Sequence, residues 1–175
     1  MFALFSLVIS FLCQNHAISS KKDDGDLPDA KQVIQKLPQT FMRQSLGDYP
    51  KLICGYQRFY NETDRKYDLI FKYPNELISL PLYVKNVTEN KIYMGTTPEP
   101  LIEPEYELDI LFSNMKSCMV TRNPDADSPR DCNLMVTKDH FDKPLKRCLK
   151  KFIKHCNGQA FNYTIKDCPY PETKN

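Results

Sequence analysis

Alternation of apolar and polar residues with a period of two constrains the fold of this chain more than any other feature of its sequence. In residues 66–73, every second side chain from Tyr67 to Tyr73 is aromatic or aliphatic, which is typical of a strand with one buried face. Turn-forming residues separate this segment from others of the same kind. The chain therefore predicts roughly seven or eight short strands, in an antiparallel sandwich or barrel rather than a parallel sheet. The strand segments are 52–60, 66–73, 78–84, 91–94, 106–112, 116–121 and 132–137, with a last extended piece over 160–168.

Two segments have the spacing of amphipathic helices instead. Residues 28–37 predict a short helix, for which Asp26 is a plausible N-cap. Residues 143–156 place apolar side chains three and four positions apart, so that they share one face. Asp142 can cap the start of this second helix, and Gly158 lies just beyond its end.

The first residues indicate export. Met1 to Cys13 is an apolar run that is shorter than the roughly 20 residues a membrane-spanning helix needs. We expect a signal peptide over 1–17, a loose polar arm over 18–27 and one barrel domain over 28–175. The alternative is a buried N-terminal helix or a membrane anchor. The mature protein is predicted to be secreted, extracellular and monomeric, with no membrane partner.

The number of cysteines and the glycosylation triplets agree with an extracellular protein. The chain has 7 cysteines, and Cys13 lies in the predicted signal peptide, which leaves an even number for disulfides. No Cys-x-x-Cys pair occurs, so a zinc ribbon or a thioredoxin-like site has no support. Asn61, Asn86 and Asn162 begin Asn-x-Thr triplets and are candidate N-glycosylation sites. The remaining cysteines are Cys54, Cys118, Cys132, Cys148, Cys156 and Cys168.

Charge and motif content argue against several classes of function. With 24 Lys and Arg against 22 Asp and Glu, the formal charge is +2, which lacks the basic excess of a typical nucleic-acid binder. After the predicted signal peptide, His140 and His155 are the only histidines, and oxidised cysteines offer no nucleophile. The sequence has no nucleophile-elbow, phosphate-loop or metal-binding histidine motif. We therefore expect no enzyme activity, no cofactor, no metal and no nucleic-acid partner.

The last third of the chain has a specific arrangement of cysteines and apolar residues. It consists of Cys118-Met119-Val120, Cys132-Asn133-Leu134-Met135-Val136, and then Pro144, Cys148, Cys156 and Cys168. This arrangement resembles that of the tick histamine-binding family of salivary lipocalins. The resemblance covers residues 116–168, whereas the front half agrees only in its strand rhythm and in Cys54. It implies a mostly β fold, an eight-stranded antiparallel lipocalin-like barrel with a short N-terminal helix and a C-terminal amphipathic helix.

The resemblance also implies how the cysteines pair and what the barrel binds. Members of this family sequester small host mediators inside the barrel, above all histamine and serotonin, and relatives bind eicosanoids, fatty acids or complement proteins. The implied outcome is evasion of the host inflammatory and haemostatic responses. The implied disulfides are Cys54–Cys168 and Cys118–Cys148, which leaves Cys132–Cys156 as the third pair.

The chain departs from the pattern of the amine-binding members. Those members have an acidic residue after the first cysteine of this region and Glu-Leu-Trp after the second, whereas this chain has Met119 and then Asn133, Leu134 and Met135. A small amine needs carboxylate and aromatic partners for tight binding. An acyl chain, by contrast, gains about 0.8 kcal/mol per buried methylene without them. The departures shift the expected ligand toward an eicosanoid, a fatty acid or another amphiphile.

Four residues are candidates for contact with the ligand. Tyr67, Phe71 and Tyr106 lie on the apolar faces of predicted strands, where aromatic side chains also serve as ordinary core. Glu76 has the same phase as Ile78, so its side chain can point inward or can lie in water at the start of the strand.

Two charged surfaces have further functional interpretations. Acidic residues alternate with an apolar series from Tyr106 to Phe112. These carboxylates are either replacements for the missing acidic partners of an amine or the solvent face of that strand, and we expect the solvent face. The basic residues of the second helix are either a solvated face or a binding surface for a polyanion or an acidic protein. The alternative function is accordingly a protein-binding antagonist of host complement or coagulation that uses the barrel as a scaffold. The acidic residues are Glu103, Glu105, Glu107 and Asp109, and the basic residues are Lys146, Arg147, Lys150, Lys151 and Lys154.

Overall fold

The chain folds into an antiparallel barrel with one helix before it and one after it. The computed structural model describes residues 24–60, 65–99, 101–124, 132–165 and 168. Its elements are α1 (Ala30–Lys36), β1 (Gln39–Ser45), β2 (Cys54–Phe59), β3 (Lys66–Tyr73), β4 (Glu76–Thr88), β5 (Lys91–Gly95), β6 (Tyr106–Ser113), β7 (Cys118–Arg122), β8 (Cys132–Val136), a 3-10 turn (Lys138–His140), α2 (Lys146–Cys156) and β9 (Phe161–Asn162). Strands β1 to β8 form a closed circle, and β9 adds to the end of β1. The lipocalin-like barrel that the resemblance implies is confirmed.

Some predictions concern residues outside these described ranges. They are the signal peptide over 1–17, the first part of the arm over 18–23, and the glycosylation site at Asn61. Within the described part of the chain, no helix is long and apolar enough to cross a membrane.

Strand β1, which the sequence does not predict, closes the barrel. Its first half pairs with β2 and its second half pairs with β8. Phe41 packs into a core on one side of the strand and Met42 into a core on the other side. Because both faces are buried, the segment lacks the alternation that marks the other strands.

Two hydrophobic cores lie on the two sides of the barrel wall. The inner core lies inside the barrel and receives the buried residues of α1, whereas the outer core lies between the wall and α2. Strand β6 contributes to both cores, because its register shifts between Ile110 and Phe112. Ile110 belongs to the inner core and Phe112 to the outer core. The expectation that Tyr106 to Phe112 share one face is therefore wrong at Phe112, since a β-bulge reverses the phase there.

Three disulfides connect the barrel to the C-terminal part of the chain. Cys118 at the start of β7 and Cys132 at the start of β8 are bonded to two cysteines on the buried face of α2. Cys54 at the start of β2 is bonded to Cys168 across a sequence separation of 114. The pairs are those that the resemblance implies, Cys54–Cys168, Cys118–Cys148 and Cys132–Cys156.

Helix α2 begins later than the sequence predicts. It starts at Lys146 after an N-cap at Leu145, and no side chain caps it, so Asp142 is not the cap. Pro144 keeps Lys143 out of the helix, because a proline disfavours the helical conformation of the residue before it. At the other end, Asn157 adopts the left-handed conformation and terminates the helix.

An N-terminal strap, residues 24–27, binds along β6. The Leu27 N–H donates a hydrogen bond to the Leu111 carbonyl at 3.0 Å, and the Ser113 N–H donates to the Gly25 carbonyl at 2.9 Å. Gly25 has a φ of 85°, and a Cβ atom at this position would lie 2.4 Å from the Ser113 carbonyl oxygen, so only glycine fits. This part of the predicted loose arm is therefore held against the barrel.

Asp26 in the strap is an ion-pair partner of α2 rather than the cap of α1. The cap is Asp29, whose carboxylate accepts a hydrogen bond from the first turn of that helix. The Asp26 carboxylate accepts hydrogen bonds from Nζ of Lys151 at 2.7 Å and Nζ of Lys154 at 3.0 Å, and it lies 3.0 Å from Nε2 of His155. Burial alone raises the pKa of this carboxyl, but the hydrogen bonds from Lys151, His155 and Lys154 outweigh burial and hold the pKa well below its usual range.

The substitution Asp26→Asn is expected to lower the free energy of unfolding at neutral pH by about 2 kcal/mol, because it removes the charge that pairs with Lys151. The contribution of the carboxylate is fully present above the ordinary aspartate pKa of about 3.9, and it is lost progressively as the pH falls from that value through the lowered pKa of the folded state. The difference between wild type and variant should therefore shrink in acid. Urea unfolding across this pH range measures it, with Asp139→Asn as a control at an exposed carboxylate. An equal difference at neutral and acid pH would contradict the ion-pair role.

Candidate ligand-binding site

A cavity of 180 Å³ lies inside the barrel. One wall comes from β3 and β4, where Leu69, Phe71 and Leu80 present apolar side chains. The opposite wall comes from β7 and β8, where Thr121 and Asn133 are partners in the strand register. The period-two alternation places these side chains inside, since side chains of directly paired residues point to the same face of a sheet. A ligand in the cavity meets carbon on one side and hydroxyl or amide groups on the other.

Three of the four predicted contact residues line this cavity, namely Tyr67, Phe71 and Tyr106. The fourth, Glu76, is the register partner of Tyr73 at the start of β4 and is exposed. Glu76 has the inward phase, but it does not line the cavity and lies at the rim of the barrel. The structure thus brings the three aromatic residues together and leaves Glu76 outside them.

A buried polar group that the sequence analysis does not identify, Gln57, holds Tyr67 in place. The Tyr67 hydroxyl donates to Oε1 of Gln57 at 3.0 Å, and Nε2 of Gln57 donates to Oγ1 of Thr40 at 3.1 Å. Burial raises the pKa of the Tyr67 phenol, so the ring stays neutral. The signal that could have revealed Gln57 is its phase, because in strand β2 it lies two residues before the buried Phe59 and so shares the same face.

The positions that carry acid and Trp in the amine-binding pattern are inward-facing here. Met119 is the register partner of Met135, both belong to the inner core, and Asn133 lines the cavity. In this chain a thioether and an amide, Met119 and Asn133, therefore occupy the two carboxylate positions of that pattern, and the thioether of Met135 occupies the Trp position. The site has a neutral inner surface at these three positions.

The acidic stripe of β6 faces outward, but it is not a solvated surface throughout. Asp109 is only 4% exposed, so the expectation of a solvent face is wrong at this residue. Its carboxylate lies 2.8 Å from the Arg122 guanidinium and 3.4 Å from the Lys91 ammonium, and these two cations allow its burial. Glu107 borders the cavity but is ion-paired to Lys91. Glu105 accepts hydrogen bonds from the backbone and hydroxyl of one threonine, which lowers the pKa of its carboxyl.

A loop residue, Tyr49, reaches the cavity from the connection between β1 and β2. Its ring stacks on Phe71 with the centroids 5.6 Å apart. Its backbone N–H donates to the hydroxyl of Tyr163 at 3.0 Å, and that hydroxyl donates to the Gly47 carbonyl at 2.5 Å. These bonds fix the loop at the open end of the barrel. Strand periodicity gives no signal for Tyr49, because the residue acts from a loop.

Comparison with known families identifies the group to which this barrel belongs. Residues 42–170 match the sequence model of the tick histamine binding protein family. The chain belongs to this family. The matched range runs from the middle of β1 to beyond β9 and so contains almost the whole barrel and α2. The family is one of binding proteins.

Solved structures show the same fold. AM182, solved as a complex with serotonin, has a TM-score of 0.60 at 20% sequence identity, over 84% of this chain and 96% of that chain. Per a 4, a major allergen from cockroaches, has a TM-score of 0.58 at 10% identity, over 81% of this chain and 92% of that chain. At these identities the likeness concerns the fold alone. No curated protein sequence matches this chain.

Proposed function

We propose that the chain is a secreted binding protein that sequesters a small aromatic mediator of the host, a biogenic amine, inside its barrel. The observation that carries this proposal is the small cavity inside the barrel with four aromatic residues in its wall, Tyr49, Tyr67, Phe71 and Tyr106. Membership of the histamine-binding family and the likeness to a serotonin complex support the same ligand class. Three disulfides suit an oxidising, extracellular compartment. Capture of such a mediator would weaken the host inflammatory and haemostatic responses.

The volume of the cavity favours a small ring over a long acyl chain. An apolar protein cavity of about 150 Å³ holds one benzene molecule, and the cavity here measures 180 Å³. Pockets for drug-sized ligands measure roughly 300 Å³ or more. An eicosanoid or a fatty acid is several times larger than benzene and would require the wall to move. We therefore place the amine ahead of the lipid ligands.

Recognition of an amine in this cavity depends on aromatic faces and neutral oxygen atoms. Phe71, Tyr67 and Tyr106 offer ring faces that stack on imidazole or indole and attract an ammonium group. Asn133 and Thr121 offer oxygen acceptors on the opposite wall. Among the described residues that line the cavity, the ion-paired Glu107 is the only acidic one. We therefore expect a lower amine affinity than a site with an inward carboxylate would have.

Calorimetric titration of the disulfide-bonded protein with serotonin, histamine and leukotriene B4 tests this function. We expect saturable binding of both amines, with serotonin the tighter because its larger ring system covers more apolar wall. Leukotriene binding without amine binding would contradict the amine assignment and would show that the ligand is a lipid. Absence of heat from all three compounds would overturn sequestration of these mediators.

The substitution Phe71→Leu is expected to weaken serotonin binding about fivefold, because it removes an aromatic face and keeps an apolar side chain. The matched control is Tyr93→Leu. Tyr93 is the register partner of the outward Glu107 on the other side of the barrel wall, so its loss should leave the affinity unchanged. Calorimetry measures the dissociation constant of serotonin for each variant. Equal weakening in both variants would show that Phe71 does not contact the ligand.

Two acceptor asparagines are accessible for modification, and we propose that both are glycosylated. Asn86 in β4 and Asn162 in β9 are exposed, as an N-glycan requires. Neither residue lines the cavity, so glycans at these sites are compatible with ligand binding.

A further inference from the structure

The outward face of α2 carries an unusual concentration of positive charge. The helix sequence contains no acidic residue. Lys146, Arg147, Lys150 and Lys154 are exposed, whereas Lys151 is only 8% exposed and points to Asp26. Four of the five basic residues seen in the sequence therefore form one solvent-facing surface, which we call the outer helix face.

The N-terminal strap neutralises this charge only in part. Asp24 pairs with Arg147 at 3.2 Å, and Asp26 is shared by Lys151 and Lys154. Lys146 and Lys150 form no ion pair with any residue that the structure describes. Two carboxylates thus face five cationic side chains, and the surface keeps a positive charge that fits an anionic partner.

An exposed apolar ridge borders the outer helix face. Leu145 is 45% exposed and Ile153 is 69% exposed, and the half-buried Leu149 lies between them at a spacing of four residues. Residues four apart stack along one side of a helix, so the three side chains form a continuous ridge. Beside the ridge runs a groove of 340 Å³, to which Leu46 and Ala160 contribute apolar walls.

We infer that the outer helix face docks on an anionic lipid surface. Lysines next to exposed aliphatic side chains are the composition of helices that lie at membrane interfaces, where cations meet headgroups and apolar side chains enter the acyl boundary. A sulfated polysaccharide would use the charge of Lys146 and Lys150 but would gain nothing from Ile153. The sequence-based expectation of no membrane partner rests on the lack of a spanning segment, which does not bear on peripheral binding.

Sedimentation of the disulfide-bonded protein with large vesicles tests this inference. Vesicles of phosphatidylcholine alone are compared with vesicles of phosphatidylcholine and phosphatidylserine in equal amounts. We expect binding only to the anionic vesicles and weaker binding as salt is added. The charge reversal Lys146→Glu with Lys150→Glu should weaken binding at least about tenfold, since each lysine near an anionic surface contributes about a fivefold gain.

Matched variants separate this surface from a general charge or hydrophobic effect. Lys36→Glu with Lys66→Glu makes the same change of net charge on α1 and β3, which do not form the outer helix face. Vesicle binding by this variant should stay within about twofold of that of wild type, because salt screens charges that lie away from the membrane. Ile153→Ser should weaken binding about fivefold, whereas Leu101→Ser, at a loop residue that is 96% exposed, should not. Equal binding to both vesicle types, or equal losses in the two charge-reversed proteins, would overturn the inference. Retention on immobilised heparin without vesicle binding would also overturn it, in favour of a polysaccharide.

Discussion

The substitution Asn133→Glu is expected to raise the affinity for serotonin and histamine by roughly tenfold to a hundredfold. Asn133 lines the cavity opposite the aromatic wall, at the position where the amine-binding pattern has Glu. A carboxylate there would form a charge-assisted hydrogen bond with the ligand's ammonium group, which is stronger than a bond to a neutral amide. Calorimetric titration of wild type and variant with both amines measures the gain.

The same substitution should also change stability in a ligand-dependent way. A carboxylate in the half-buried site without a cation lowers the free energy of unfolding, and a bound amine should restore it. Asn133→Gln is the matched control, because it has the size of Glu and no charge. If the Gln variant binds amines as tightly as the Glu variant, the effect comes from shape, and the electrostatic account of the cavity is wrong.

Removal of the long-range disulfide by Cys54→Ala with Cys168→Ala is expected to lower the free energy of unfolding by about 5 kcal/mol. This disulfide closes a loop with a sequence separation of 114, so it restricts the unfolded chain more than a short loop does. Cys132→Ala with Cys156→Ala opens a loop with a separation of only 24 and should cost about 3.5 kcal/mol.

Urea unfolding under non-oxidising and non-reducing conditions compares these two proteins with wild type. We expect the midpoint to fall further for the pair Cys54 and Cys168 than for the pair Cys132 and Cys156. The reverse order would show that the bond between β8 and α2 stabilises the folded state by packing, beyond its effect on the unfolded chain.

Local patterns in the sequence predict the strands with one buried face, because their side chains alternate along the chain itself. They do not predict β1, where Phe41 and Met42 are both buried in different cores. They also miss the phase change between Ile110 and Phe112, since a bulge depends on the pairing partner. The role of Asp26 is out of reach for a similar reason, because its partners on α2 are more than a hundred residues away.

The residues of the candidate site also fall into those that the sequence predicts and those that it does not. Tyr67, Phe71 and Tyr106 are predictable because they lie on the apolar faces of strands, and all three line the cavity. Tyr49 is not, because a loop brings it there through contacts that depend on the whole fold. The volume of the cavity depends on how all the lining side chains fill the barrel, which no single segment determines.

The distribution of the disulfides has a consequence for how the barrel adapts to a ligand. Strands β3, β4 and β5 contain no cysteine, so covalent links hold the polar wall of the cavity and none holds the apolar wall. We therefore expect the half with β7 and β8 to stay fixed when a ligand binds, and the half with β3 and β4, the compliant half, to adapt to its shape. Induced fit to rings of different size can occur in the compliant half while the polar contacts stay in place.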